Sequence, residues 1–494
     1  MGKKSIKKNY IYNLMYQMLI IFVPLITTPY VSKTLGSEMI GIYSYTLSIA
    51  TYFILFGTLG IAMYAQREIA YVQDDKKKIS VIFWEVIILR IITMAISATI
   101  YYFTMINGTQ YQIYYKVLLL EILANCIDIS WLFQGLEEFK KTVIRNSVIK
   151  IISVISIFVF VKTRDDLIKY FFIYMLSNLI GNLSLWLYLP KYLVKINLKQ
   201  LNLKRHIKPT IQLFIPQIAI QIYTVLDKTM IGKMISDKSE VGYYEQSQKI
   251  IKTALTVITS LGTVMSPRIA YVSSNNRKDE VEKYLANSFK FVWLLGIPIM
   301  LGLMAISSSL VPWFLGEEFI KAKWIIIFGA PLTISIGLNN VSGIQYLIQT
   351  KKQKIFTKSV VIGALCNFTL NLILIHFIKS YGAIIASVIA ETLILMVQLK
   401  YMRQEIALKI VYNKSLKYIV SGIIMFVLIL PIGILNKPTV VTTALQILIG
   451  GIIYISLLLI QKDDFLFENV KKIKDKILGV KNEENKKIGK KTSN

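Results

Sequence analysis

Basic side chains that lie inside long apolar segments are the residues of this sequence best suited to chemistry. The candidates to bind a phosphate or diphosphate group are Arg90, Lys150, Lys228, Lys249 and Lys252. A charge at the centre of a bilayer costs at least about 2.5 to 3.5 kcal/mol, so these side chains should face a protein interior or a wet cavity. Since lysine and arginine donors suit phosphate oxygens, the sequence predicts an anion site within the membrane.

Polar side chains recur at helical spacing along the same segments. Glu245, Lys249 and Lys252 follow the spacing of residues that share one face of a helix. The predicted polar lining of a central cavity consists of Asn13, Gln17, Ser44, Ser48, Thr51, Gln217, Gln221, Thr224, Glu245 and Thr256. Hydroxyls and amides of this kind suit the many hydroxyl groups of a sugar.

Acidic residues also lie within the apolar segments. The candidates for coupling to an ion are Glu121, Asp128, Asp227 and Glu391. The same carboxylates could instead neutralise the lysines. Because Asp227 directly precedes Lys228, these two residues also fit an ion pair that only fixes their helix. The sequence leaves both roles open.

Several kinds of chemistry are poorly supplied in this sequence. Two cysteines and two histidines are too few for a disulfide framework, a zinc site or a His-based catalytic triad. Neither the G-x-x-x-x-G-K-[ST] nor the G-x-G-x-x-G motif of nucleotide sites occurs. We therefore expect no cofactor, no metal and no nucleotide. Energy would come from a proton gradient, a sodium gradient or the membrane potential.

Apolar helices must carry these residues. The chain has 494 residues, of which 54% are hydrophobic, and its mean hydropathy is +0.55. Fourteen apolar runs reach about 18 residues or more, long enough to cross a hydrocarbon core of about 30 Å as helices. An exposed strand edge would leave backbone groups unpaired in lipid. The sequence therefore predicts an all-α integral membrane protein with about 14 transmembrane helices.

The basic excess of the chain indicates its orientation. Lys and Arg number 57 and Asp and Glu 28, which gives a net charge of +29. If the N-terminus is cytoplasmic, the inner segments hold about four times as many basic residues as the outer ones. We therefore expect a multi-pass protein with both termini in the cytoplasm. The charge is a topology signal, and no nucleic acid partner is predicted.

An internal repeat divides the predicted helices. Gly41-Ile42-Tyr43 matches Gly242-Tyr243-Tyr244 across an even number of helices, so the two copies should be parallel repeats of six helices each. The predicted parts are an N-terminal lobe (1–190), a cytoplasmic basic linker (191–208), a C-terminal lobe (209–402), two additional helices (403–461) and a cytoplasmic basic tail (462–494). Two rocking bundles with a site between them are typical of a transporter rather than an enzyme.

Alternative functions differ in what they require of the cavity. An antiporter of organic cations, like the MATE multidrug exporters, would need carboxylates to dominate, whereas basic residues do here. A membrane-embedded glycan polymerase or ligase usually needs a sizeable outer loop or domain, and the predicted outer segments are short. A transporter of an anionic, hydroxyl-rich substrate fits the residues better.

Several stretches of the sequence resemble one family. They are Lys33–Gly36, Gly41–Ser44, Leu59-Gly60 and Arg67–Ala70 in the first half, and Asp227-Lys228, Ile231-Gly232 and Glu240–Tyr244 in the second. These stretches look like those of the Wzx-type polysaccharide flippases, which transport lipid-linked oligosaccharides. That family lies within the multidrug/oligosaccharidyl-lipid/polysaccharide exporter superfamily.

The resemblance implies a function in the bacterial cytoplasmic membrane. It implies translocation of undecaprenyl-diphosphate-linked oligosaccharide units, by alternating access through a cationic cavity, for capsular polysaccharide, exopolysaccharide or O-antigen. Membrane lipid and the polysaccharide polymerase machinery are the implied partners. A flippase for lipid II or a teichuronic acid precursor is a related alternative.

Overall fold

The structure is a computed structural model that describes residues 6–197, 199, 201–412 and 415–467. These residues form helices and turns, with no strand among them. The α-helices are α1 (Ile6–Thr58), α2 (Ile61–Tyr71), α3 (Lys76–Tyr101), α4 (Gln112–Cys126), α5 (Ser130–Gly135), α6 (Phe139–Phe160), α7 (Leu167–Trp186), α8 (Lys204–Met234), α9 (Ser239–Ser274), α10 (Lys278–Phe314), α11 (Ala322–Gly329), α12 (Leu332–Asn339), α13 (Gln353–Met402), α14 (Lys409–Tyr412), α15 (Ser415–Leu435) and α16 (Val440–Ile460). A π-helix, Asn340–Ile348, continues α12.

The apolar helices confirm the predicted fold class, an all-α integral membrane protein. Ten helical segments of the described chain are long and apolar enough to cross a membrane, or eleven if the bent pair Ala322–Gly329 and Leu332–Ile348 forms one span. The number fourteen stays a prediction. The two longest helices, α1 and α13, each contain a break, at Gly36 and at Ile378 and Lys379 respectively. Since they have 53 and 50 residues, each is long enough for two crossings.

The chain forms two compact units, each made of three segments. The first unit comprises residues 1–253, 311–329 and 354–394, and the second comprises 254–310, 330–353 and 395–494. The candidate phosphate-binding residues all lie in the first unit. The predicted limits of the six-helix lobes, the linker, the additional helices and the tail stay predictions, and residues 468–494 of the tail lie outside the described residues.

Polar contacts fix α16 within the second unit. Ser309 Oγ of α10 lies 2.5 Å from Gln446 Oε1, and Tyr454 OH donates to the Leu294 carbonyl at 2.9 Å. An apolar cavity of about 430 Å³ lies beside these contacts, lined by side chains of α10, α15 and α16. Other apolar side chains of α16, such as that of Ile452, are exposed, as expected of a helix in lipid.

An aromatic cluster forms part of the core of the first unit. Phe83 of α3 packs against Trp131 of α5, with ring centroids 5.6 Å apart, and against Trp186 of α7 at 6.1 Å. Phe83 and Trp131 are fully buried. Burial of rings of this size contributes much of the packing energy, so this cluster fixes α3, α5 and α7 relative to one another.

A buried carboxylate fastens the segment that precedes α8 to α3. Glu85 accepts hydrogen bonds from the Asn202 amide at 2.7 Å and from Arg205 Nε at 2.9 Å. His206 lies between Glu85 and Tyr64, with 2.7 Å from Nε2 to Glu85 and 2.7 Å from Nδ1 to the Tyr64 hydroxyl. The sequence predicted a linker at 191–208, and these contacts position the start of α8.

The two glycines that the repeat pairs lie against each other within the first unit. A Cβ atom on Gly41 would lie 1.7 Å from the Lys238 carbonyl oxygen, and one on Gly242 would lie 2.1 Å from the Ser37 carbonyl oxygen. Both obstacles are backbone atoms, so neither position has room for a side chain. This close approach fixes the start of α9 against α1.

Candidate functional site

A short turn between α8 and α9 determines which of their residues meet. The α8 helix ends at Met234 and α9 begins at Ser239. Lys238 in the turn donates from Nζ to the carbonyls of Gly232 at 2.6 Å and Ile235 at 2.9 Å, which satisfies carbonyls at the end of α8. Burial lowers the pKa of Lys238. Because the helices run in opposite directions, residues at similar distances from the turn face each other.

Three lysines gather around one glutamate at this hairpin. Lys228 Nζ of α8 lies 2.9 Å from Glu245 Oε2, and Lys249 Nζ lies 3.8 Å from Glu245 Oε1. Lys252 follows Lys249 by about one turn of α9, and the charges of Lys228 and Glu245 both act on it. We call Lys228, Glu245, Lys249 and Lys252 the cationic cluster. The cluster holds three ammonium groups and one carboxylate, so positive charge is in excess.

The cationic cluster is accessible to a ligand. The side chains of Lys228 and Lys249 are 22% and 38% exposed, and Lys252 is exposed. A phosphate group could therefore contact these ammonium groups without first displacing a segment of the described part of the chain. The structure thus brings together three of the five basic residues that the sequence predicted as diphosphate ligands.

Asp227 lies in a separate network of hydrogen bonds. Its carboxylate accepts hydrogen bonds from Asn371 Nδ2 at 2.7 Å, from Ser387 Oγ at 2.6 Å and from the Tyr244 hydroxyl. Asp227 is only 6% exposed. Among the described ion pairs, Lys228 pairs with Glu245 and not with its neighbour Asp227, because adjacent residues of a helix do not face each other.

A second polar region forms between the end of α4 and the helices α5, α6 and α7. It is a cavity of about 500 Å³, which we call the amide cavity. Its lining consists of Asp128, Ser130, Gln134, Thr142, Val143, Arg145, Asn146, Ile149, Lys150, Ser153, Tyr174, Ser177, Asn178, Gly181 and Asn182. Two predicted site residues, Lys150 and Asp128, therefore line this cavity and belong to a different group from the cationic cluster.

Arg90 and Glu121 hold the helices around the amide cavity. Arg90 is 2% exposed, donates from Nε to the Asn125 carbonyl at 2.9 Å, and has Nη2 3.9 Å from Asp128 Oδ2. Glu121 accepts hydrogen bonds from Asn125 at 3.2 Å and from Asn178 at 3.0 Å. In this arrangement Arg90 links α3 to the end of α4, and Glu121 links α4 to α7.

Tyr43 of α1 adjoins both polar regions. Its ring centroid lies 6.4 Å from that of Tyr174, which lines the amide cavity, and 4.9 Å from that of Tyr170. The Tyr43 hydroxyl is within electrostatic range of two carboxylates. One is Glu121, and the other is Glu245 of the cationic cluster. The two polar regions are therefore neighbours within one unit.

The remaining predicted residues have other surroundings. Ser44 is buried, Ser48 Oγ lies 2.9 Å from Thr229 Oγ1 of α8, and Thr51 donates to the Leu47 carbonyl at 2.8 Å. These three residues of α1 thus lie at helix packing contacts or bond within their own helix. The other predicted residues are Gln221 and Thr224, exposed on α8; Thr256, exposed on α9 in the second unit; Glu391, half-buried on α13; and Asn13, Gln17 and Gln217, whose side chains lie outside the described residues.

Some residues of the two polar regions were not predicted from the sequence. Asn178 and Asn182 of α7 line the amide cavity, and Asn182 accepts a hydrogen bond from Arg145 at 2.9 Å. The two asparagines are four positions apart, so helical spacing would have placed them on one face. Tyr43 gave no comparable signal, because one tyrosine among 29 looks like an interface anchor.

Comparisons with known proteins agree with this architecture. Residues 6–273 match the family described as polysaccharide biosynthesis protein, and residues 213–373 match the MatE family. The "Putative O-antigen transporter" of Escherichia coli strain K12 is 27% identical over 407 residues, which cover 81% of this chain and 98% of that protein.

Solved structures share the fold. The structure titled "Lipid II flippase MurJ, inward closed conformation" superimposes with a TM-score of 0.69 and 18% identity, over 92% of this chain and 100% of that one. An inward-facing multidrug resistance MATE family transporter gives a TM-score of 0.66 with 13% identity, over 82% of this chain and 99% of that one. Since the family match spans more than half of the sequence, the chain belongs to the polysaccharide biosynthesis protein family.

Proposed function

We propose that this protein is a flippase that moves undecaprenyl-diphosphate-linked oligosaccharide units across the cytoplasmic membrane of a bacterium. The observation that carries the proposal is the cationic cluster, in which Lys228 of α8 and Lys249 of α9 pair with Glu245, and Lys252 lies within electrostatic range of both Lys228 and Glu245. The similarity to the "Putative O-antigen transporter" of Escherichia coli strain K12 supports this substrate class. The protein is a membrane transporter and not an enzyme.

The cationic cluster suits a diphosphate in charge and in reach. Lys228 and Lys249 are held by the same carboxylate, so their ammonium groups lie close together before any ligand binds. A diphosphate can displace Glu245 from either lysine and accept charge-assisted hydrogen bonds from both. Preorganised donors lose less entropy on binding than free side chains, which favours affinity.

An exporter of organic cations is the competing function, and the carboxylates of the site argue against it. Glu245 pairs with two lysines, and Asp227 accepts three hydrogen bonds from protein donors. Glu121 accepts hydrogen bonds from two asparagines. A cationic substrate would have to break these contacts and approach three lysines.

Ion coupling is the proposed role of Asp227. It is a buried carboxylate surrounded by the oxygen-bearing side chains of Tyr244, Asn371 and Ser387. Such a group can exchange its protein donors for a proton or a sodium ion, and a change in these bonds would alter the contacts between α8, α9 and α13.

In the proposed orientation, both termini would lie in the cytoplasm. The flipped unit would pass to the polysaccharide polymerase machinery for capsule, exopolysaccharide or O-antigen.

Competition for a bound lipid-linked substrate tests this function. Full-length protein in lipid nanodiscs is expected to bind a labelled undecaprenyl-diphosphate trisaccharide, and inorganic diphosphate should displace it. Tetraethylammonium should not, because the cluster repels cations. Displacement by tetraethylammonium but not by diphosphate would support the exporter of organic cations and contradict the flippase.

A further inference from the structure

We infer that the amide cavity binds the sugar part of the transported molecule and selects for a sugar that carries a negative charge. The inference rests on the proposed function and adds a substrate class to it. The supporting observations are the unpaired polar atoms of the cavity, its excess of positive charge and its position beside the cationic cluster.

Five polar side chains of the cavity are available to a ligand. They are those of Gln134, Asn146, Lys150, Ser153 and Ser177, and none of them makes a side-chain hydrogen bond or ion pair within the described part of the chain. Amide and hydroxyl groups can both donate and accept, as sugar hydroxyls do. Ser153 is buried and the other four are half-buried, so these groups can exchange water for a polar ligand in the cavity.

Other polar residues of the cavity are fixed by the protein and shape its wall. Asn182 donates to the Ala124 carbonyl at 2.7 Å and accepts a hydrogen bond from Arg145 at 2.9 Å. Asn178 donates to Glu121 at 3.0 Å. Both asparagines of α7 are therefore held in fixed orientations in the cavity wall, which favours specificity.

The charge of the cavity favours an anionic group. Lys150 and Arg145 line it together with a single acid, Asp128. Asp128 is already engaged, since Oδ1 accepts the Ser130 amide at 2.9 Å and Oδ2 lies 3.9 Å from Arg90 Nη2. Lys150 has no carboxylate partner among the described residues, so its ammonium group can pair with a carboxylate or a phosphate on a sugar.

The cavity has a suitable size and place for sugar residues. Its volume of about 500 Å³ falls in the range of about 300 to 1,000 Å³ that is typical of small-molecule sites. Tyr43 lies beside the cavity, with its ring centroid 6.4 Å from that of Tyr174 in the cavity wall, and it is within electrostatic range of Glu245 of the cationic cluster. A lipid-linked oligosaccharide could therefore place its diphosphate at the cationic cluster and its sugars in the amide cavity. This assigns Lys150 to the sugar rather than to the diphosphate.

Binding of three matched substrates tests the inference. The probes are undecaprenyl-diphosphate trisaccharides that differ only in one sugar, which is a neutral hexose, a uronic acid or a phosphorylated hexose. We expect full-length protein in nanodiscs to bind at least one of the charged substrates about tenfold more tightly than the neutral one. The comparison of the uronic acid with the phosphorylated sugar identifies the preferred anion.

Variants at Lys150 connect this preference to the cavity. Lys150→Gln should reduce the preference for the charged sugar to nearly one, and Lys150→Arg should retain most of it. Lys116→Gln, at an exposed lysine of α4 outside the cavity lining, is the matched control and should keep the wild-type preference. Equal wild-type affinity for the charged and neutral substrates would overturn the inference, as would an unchanged preference in Lys150→Gln.

The same experiment separates this inference from the proposed function. If the protein binds all three trisaccharides alike and inorganic diphosphate displaces them, the flippase function stands and the sugar selectivity is wrong. If none of the three binds to the wild-type protein, the proposed function itself fails.

Discussion

The variant Lys252→Glu is expected to lose about 100-fold in affinity for an undecaprenyl-diphosphate trisaccharide. The cationic cluster has three ammonium groups and one carboxylate, and this change removes its excess of positive charge. At an effective dielectric constant of about 20, a charge pair about 5 Å apart interacts by about 3 kcal/mol, which corresponds to about 100-fold in affinity. Equilibrium binding to full-length protein in nanodiscs measures the effect.

Two control variants show whether charge at this position is the cause. Lys252→Arg keeps the charge and should bind within a few-fold of the wild-type protein. Lys116→Glu reverses the charge of an exposed lysine on α4 and should leave binding unchanged. Wild-type affinity in Lys252→Glu would remove this lysine from the proposed site.

The variant Asp227→Ala is expected to destabilise the folded protein by about 3 kcal/mol or more, because a buried donor left without its acceptor costs about 1 to 3 kcal/mol. Three donors would lose their acceptor, namely Tyr244, Asn371 and Ser387. The melting temperature of the purified protein in detergent should fall by several degrees.

A matched control and a second readout separate stability from coupling. Asp279→Ala, at an exposed aspartate of α10, should melt close to the wild-type temperature. Asp227→Asn keeps the size of the side chain and one acceptor, so it should fold better than Asp227→Ala but lose the charge needed for ion coupling. An Asp227→Ala variant that melts at the wild-type temperature would show that this network does not hold α8, α9 and α13 together.

Periodic signals predicted part of the fold and of the site. Apolar runs of span length predicted an all-helical membrane protein. The spacing of Glu245, Lys249 and Lys252 placed them on one face of α9, where two of the described ion pairs form. The repeat paired Gly41 with Gly242, and these residues lie against each other. Each of these features depends on spacing within one helix or on a direct sequence match.

Contacts between helices that are distant in the sequence could not be predicted. Arg90 and Lys150 looked like members of the same site as Lys228, yet Arg90 bonds to the Asn125 carbonyl and Lys150 lines the amide cavity. Asp227 looked like a partner for the adjacent Lys228, whereas its donors come from α9 and α13. Helical spacing gives the face on which a residue lies, but not the helix that packs against that face.

The most direct test of the central claim is the movement of a lipid-linked oligosaccharide between leaflets. Liposomes with full-length protein would carry an undecaprenyl-diphosphate trisaccharide, and an impermeant glycan-modifying reagent would report the fraction exposed outside. We expect wild-type protein to expose the inner-leaflet pool and Lys252→Glu to leave it protected. An inner pool that stays protected with the wild-type protein, in liposomes from which the protein expels organic cations, would contradict the flippase account.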